Sequence, residues 1–96
     1  MSMFDQERAR LLLAAHGALL GEVFPSLSVV NVSWGERWIK FWFFLSNAPS
    51  EDDLESMSIV EAEMLAQYPD REVMSEFYVD APRGRGAVCI FARKNR

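Results

Sequence analysis

The run Arg37-Trp38-Ile39-Lys40-Phe41-Trp42-Phe43-Phe44-Leu45 constrains this chain more than any other stretch. Read as a strand, it puts Ile39, Phe41, Phe43 and Leu45 on one face. Trp38, Lys40, Trp42 and Phe44 fall on the other, and that face is nearly as apolar. An antiparallel sheet with helices on one side usually shows water a polar second face. This strand offers none, so both of its faces ask for cover.

The run breaks at Ser46-Asn47-Ala48-Pro49, and a helix is predicted from Ser50. Ser50 suits the N-cap and Asp53 the N3 position, while Glu51 and Asp52 sit beside the positive end of the helix dipole. At helical spacing Leu54, Met57, Val60, Met64, Leu65 and Tyr68 form one apolar stripe. Glu51, Asp52, Glu55 and Glu63 lie away from it and make an acidic outer face. Glu61 falls inside the stripe, where it needs a neighbouring base or backbone donor, because an unpaired buried carboxylate costs several kcal/mol. Pro69 ends the helix.

An earlier helix carries Phe4, Leu11, Leu12, Ala15 and Leu19 at the same period, with Glu7, Arg8 and Arg10 on the wet side. Ser2 and Asp5 have the spacing of a capping box at its start, and Gly21 reads as its stop. His16 lies late in this helix, where a lone imidazole without metal-spaced companions is a surface or packing residue. A strand then runs from Leu27 to Trp34, joined to the aromatic strand through Gly35-Glu36, with Gly35 supplying the positive φ of a type II′ turn. Beyond the second helix, a strand from about Glu72 to Val79 and another over Ala87–Ala92 read as a second hairpin around the exposed loop Asp80–Gly86. The last strand is fully apolar and suits a central position. Its Cys89 reads as a small buried residue.

The element order is therefore α-β-β-α-β-β. The expected fold is α+β: a two-layer sandwich with an antiparallel-rich four-stranded sheet and two helices on one face. At 96 residues the chain is expected to be a single domain, 1–96.

Charge narrows the function. Net charge is −4, which argues against a general nucleic-acid binder and suits a basic protein partner. Residues 47–80 hold ten acids against the single base Arg71, whereas residues 81–96 hold five bases and no acid. Such a dipolar surface steers charged partners. One cysteine permits neither an internal disulfide nor a cysteine metal site and fits a reducing cytoplasm. The apolar run Leu11–Leu20 is shorter than the ~20 residues of a membrane span.

No catalytic constellation is visible. No serine lies in Gly-x-Ser-x-Gly, and His16 has no partner of suitable spacing. Glu51, Asp52, Asp53 and Glu55 lack the Asp-x-Asp-x-Asp-Gly spacing of a calcium loop, and helix capping accounts for acids at that place. Arg83-Gly84-Arg85-Gly86 is read as a polar loop rather than a phosphate cradle. The expectation is a non-enzyme with no metal or cofactor. Its partner-binding residues are Trp38, Trp42 and Phe44 on the aromatic face and Glu51, Asp52 and Glu55 on the acidic helix. The alternative is a homodimeric structural or ligand-binding domain whose aromatic face meets a second copy.

Several segments resemble the small immunity proteins of bacterial contact-dependent growth-inhibition systems. They are Leu19-Leu20-Gly21-Glu22-Val23 with Pro25, Phe41–Phe44 ahead of Pro49-Ser50-Glu51-Asp52-Asp53, Val60-Glu61-Ala62-Glu63 with Tyr68-Pro69-Asp70, and Ile90-Phe91-Ala92-Arg93-Lys94. The likeness runs from Leu19 to Lys94. It implies a cytoplasmic protein that neutralises a toxin by binding it, without naming the toxin. An acidic inhibitor of this kind can fill the groove of a basic nuclease that phosphates would occupy.

Overall fold

The computed structural model describes residues 3–80 and 88–92, with side chains from residue 6 onward. The elements are α1 (Met3–Leu19), β1 (Leu27–Trp34), β2 (Trp38–Leu45), α2 (Glu51–Gln67), β3 (Glu72–Val79) and β4 (Val88–Ala92). The order is the expected α-β-β-α-β-β, in an α+β fold. The proposed cap at Ser2 and Asp5 rests on side chains outside those described, and the Arg83–Gly86 motif and Ala87 lie outside the described residues.

Both helices pack on the odd face of β2. Ile39, Phe41, Phe43 and Leu45 are buried against Leu11, Ala14, Ala15, Ala18 and Leu19 of α1 and Met57, Val60 and Met64 of α2. Small side chains along α1 let that helix approach α2 closely. Burying each large side chain here contributes about 1.5–3 kcal/mol. Gly21 sits at φ +84 and ends α1, as a left-handed residue does. The α2 cap also forms as expected. The Asp53 N–H donates to Ser50 Oγ, and the Ser50 N–H donates to Asp53 Oδ2, both at 3.1 Å. Ser26 adds a hydroxyl donor to the same carboxylate at 3.4 Å, tying the start of β1 to the start of α2.

The strand order is β3-β2-β1-β4. β1 is antiparallel to β2 and to β4, but β3 runs parallel to β2 in unbroken register from Trp38↔Glu72 to Leu45↔Val79. The predicted β3/β4 hairpin is therefore wrong, since the two strands occupy opposite edges. The reason is α2. A helix that crosses over the sheet returns the chain in the original direction, so β2-α2-β3 becomes a parallel unit. β4, expected at the centre, is an edge strand with a register shift between Val30 and Asn31. Cys89, expected to be buried, is exposed.

Three further expectations change. The closing hydrogen bond, from Gly35 N–H to Trp38 O at 2.9 Å, centres the β1–β2 turn on Glu36-Arg37. Gly35 does not take a positive φ. Leu54 and Leu65 are exposed rather than part of the buried stripe, which narrows to Met57, Val60 and Met64. Glu61 lies on that same flank of α2, half-buried rather than buried in the core, and with no ion pair among the described residues.

Candidate functional site

The strand alternation that buries Phe41 and Phe43 sends Trp38, Lys40, Trp42 and Phe44 to the face away from both helices. Register extends that face sideways. Asn31 on β1 and Glu76 on β3 flank Trp42, and Val29 and Tyr78 flank Phe44. The three predicted aromatics therefore do share one surface. Trp38 and Trp42 are half-buried, whereas Phe44 is only 5% exposed and stacks on Tyr78 with ring centroids 5.7 Å apart.

Polar groups are threaded between these rings. Lys40 Nζ lies 3.0 Å from Glu76 Oε1 and 5.1 Å from the centroid of the Trp42 ring. The Tyr78 hydroxyl donates to Glu76 Oε2. That hydrogen bond, followed by the one from Lys40, holds the Glu76 carboxyl below its ordinary value. The same bond to a carboxylate pushes the Tyr78 phenol above its ordinary value, because losing the proton would set two anions together. Asn31, central on this face, is buried, and its Oδ1 has no hydrogen-bond partner among the described residues. A buried acceptor left without a donor costs about 1–3 kcal/mol.

Glu51, Asp52 and Glu55 are exposed on the first turns of α2, in the layer on the opposite side of the sheet. The structure therefore does not merge the acidic and aromatic groups into one flat patch. Of the acids clustered at this helix start, Asp53 alone is engaged by the fold, through its cap and Ser26. Glu51, Asp52 and Glu55 have no ion pair among the described residues.

What the two layers share is the β3 edge, which sequence reasoning missed. Phe77, Tyr78 and Val79 are 44%, 39% and 40% exposed there. Tyr78 belongs to the aromatic face, and Phe77 and Val79 to the helix face. Three consecutive apolar residues in a strand normally signal burial on both sides, so their pattern alone disguised an exposed edge.

Beside β3, Arg71 pairs with Glu7 of α1, and its guanidinium lies 5.1 Å from the Tyr68 ring centroid. This clasp joins α1 to the α2–β3 connection. A shallow cavity of about 520 Å³ near Glu7, Trp34, Gly35 and Glu36 has no convergent catalytic pair. Among the described residues, no group of three or more His, Cys, Asp or Glu side chains is placed to hold a metal ion. No described helix is long and apolar enough to cross a membrane.

Comparison with known proteins places this sequence in a family. The family model described as MafI2 immunity protein matches residues 8–95. No curated protein matches the chain.

Proposed function

The chain belongs to the MafI2 immunity protein family, and from that premise we propose that it neutralises a basic toxin domain, such as a nuclease, by direct binding without catalysis of its own. Family membership carries the toxin-neutralising role. The basic character of the toxin rests on one observation: Glu51, Asp52 and Glu55 stand exposed together with no ion pair among the described residues. The capping box engages Asp53 alone, and Glu55 lies beyond the first turn. Left unpaired, the three exposed acids raise the encounter rate with a cationic surface.

Trp38 and Trp42, with Phe44 beneath Tyr78, supply the anchors on the other side of the sheet. Aromatic side chains buried at an interface slow dissociation more than they change encounter. The setting proposed is the cytoplasm of a bacterium exposed to contact-delivered toxins. The exposed thiol of Cys89 remains reduced there.

The test is co-expression with the toxin domain encoded by the neighbouring gene, followed by purification through a tag on either chain. A stable complex with loss of toxicity is expected. Toxicity that persists despite abundant folded immunity chain would sink the reading.

A further inference from the structure

We propose that the toxin docks by adding a basic strand of its own to the free edge of β3, extending the sheet from four strands to five. This rests on the toxin-binding reading above and adds where and how the partner is held.

The backbone carries the argument first. The Glu72 N–H donates to Arg37 O at 2.9 Å, and the Asp80 N–H donates to Leu45 O at 2.8 Å. Peptide groups alternate in direction along a strand, so even-numbered positions face β2. The N–H and C=O groups of Val73, Ser75, Phe77 and Val79 therefore face away from the sheet. Four residues in a row of alternate positions make a ready template for another strand.

Natural edges are blunted by brevity, proline, lysine or a bulge. β3 has no proline, lysine or bulge: it is eight residues long, regular in register, and ends in three exposed apolar side chains. Its two charges, Glu72 and Glu76, are acidic, which discourages a like-charged strand but not a basic one. β4, at the other edge, has five residues and a register shift.

Charge selects the occupant. Residues 70–80 carry Asp70, Glu72 and Asp80 with no ion pair among the described residues, besides Glu76, which Lys40 holds, and their one base, Arg71, is already held by Glu7. A second copy of this chain would bring the same acids against themselves. A basic strand would instead find them on its flanks. The N-terminal end of α2 lies at the same end of the sheet as Val79, through the Ser26–Asp53 and Asp80–Leu45 bonds. With the right-handed sense such crossovers take, the flank of α2 carrying Leu54 turns toward β3. Leu54, Phe77 and Val79 are each exposed apolar residues, and Glu51 and Glu55 are exposed on the first turns of α2. An added strand meets the aromatic face with one row of its side chains and the acidic helix layer with the other.

The test replaces outward N–H groups while sparing those that bind β2. Ser75→Pro and Val79→Pro each remove one outward donor, and proline is tolerated on the open side of an edge strand. Melting curves establish that each variant is folded, and binding is measured to the toxin domain of the neighbouring gene. Each variant is expected to weaken binding about tenfold or more, mainly through faster dissociation. Folded variants that both bind within about twofold of wild type overturn the strand addition and leave the toxin-binding reading standing. A wild-type chain that fails to bind that toxin overturns both. A wild-type dimer that each proline variant converts to monomer assigns the edge to a second copy and overturns the toxin as its occupant.

Discussion

Gly35 has no side chain because the indole of Trp38 occupies the place where one would stand. A Cβ built on Gly35 would lie 2.2 Å from Trp38 Nε1 and 2.7 Å from Cε2. The two residues face each other across the turn, joined by the Gly35 N–H to Trp38 O hydrogen bond. Glycine here serves close approach rather than a left-handed backbone. Gly35→Ala should therefore displace Trp38, costing about 1–3 kcal/mol in stability as overpacking does. Chemical denaturation followed by Trp fluorescence checks this. An alanine variant with an unchanged midpoint and emission maximum would show that the ring swings aside freely.

Charge reversal of Glu51, Asp52 and Glu55 together should slow association with the toxin and flatten its dependence on ionic strength. Stability should fall modestly, by about 0.3–1 kcal/mol per charge, because these residues also interact favourably with the positive end of the helix dipole. Stopped-flow association at several salt concentrations measures the effect. An unchanged rate at low salt would place the encounter surface elsewhere.

Trp42→Ala separates anchoring from folding. The ring is half-buried, on the face away from the helices. Truncation should cost about 2 kcal/mol or more of binding, near thirtyfold in Kd. The fold should lose less than the roughly 3–5 kcal/mol of a fully buried tryptophan. Melting and titration on the same variant decide the matter. A collapsed fold with no separable binding defect would assign Trp42 to the core.

The Glu76–Tyr78–Lys40 group gives a pH signature. The folded Glu76 carboxyl lies below its ordinary 4.5, so its contribution is present above that value and is lost as pH falls through the folded one. The folded Tyr78 phenol lies above its ordinary 10.0, so its contribution is present below that value and is lost as pH rises through the folded one. The stability difference between wild type and Glu76→Gln should thus be level at neutral pH and shrink at both extremes. Both groups are open to solvent, so added salt should also reduce it. Urea denaturation across a pH series reads it out. A difference unaltered by acid would mean that the carboxylate contributes nothing as an anion.

Much of the candidate site was legible from local pattern. Alternation in β2 separated Trp38, Trp42 and Phe44 from Phe41 and Phe43, and each set lies on its own face. The acids that opened α2 were readable from capping rules alone. Other features were hidden because they depend on distant residues. Leu54 and Leu65 have the period of a buried stripe, yet the sheet beneath α2 is wide enough for only three of the predicted apolar positions to be fully covered. Cys89 sits in an apolar run, but among the described residues β4 has no neighbouring strand on one side.

The sequence by itself determined where each helix and strand runs and which faces are apolar, because periodicity and caps are set by residues a few positions apart. It also determined the family. Strand neighbours are another matter. Whether β3 pairs with β4 or with β2 depends on how α2 crosses the sheet and what core it covers, and no window of residues contains that choice. Only the tertiary structure made β3 an edge, parallel to β2 and with no strand on its other side among the described residues. That placement turned Phe77, Tyr78 and Val79 from residues with the pattern of a core strand into an exposed rim between the aromatic face and the acidic helix.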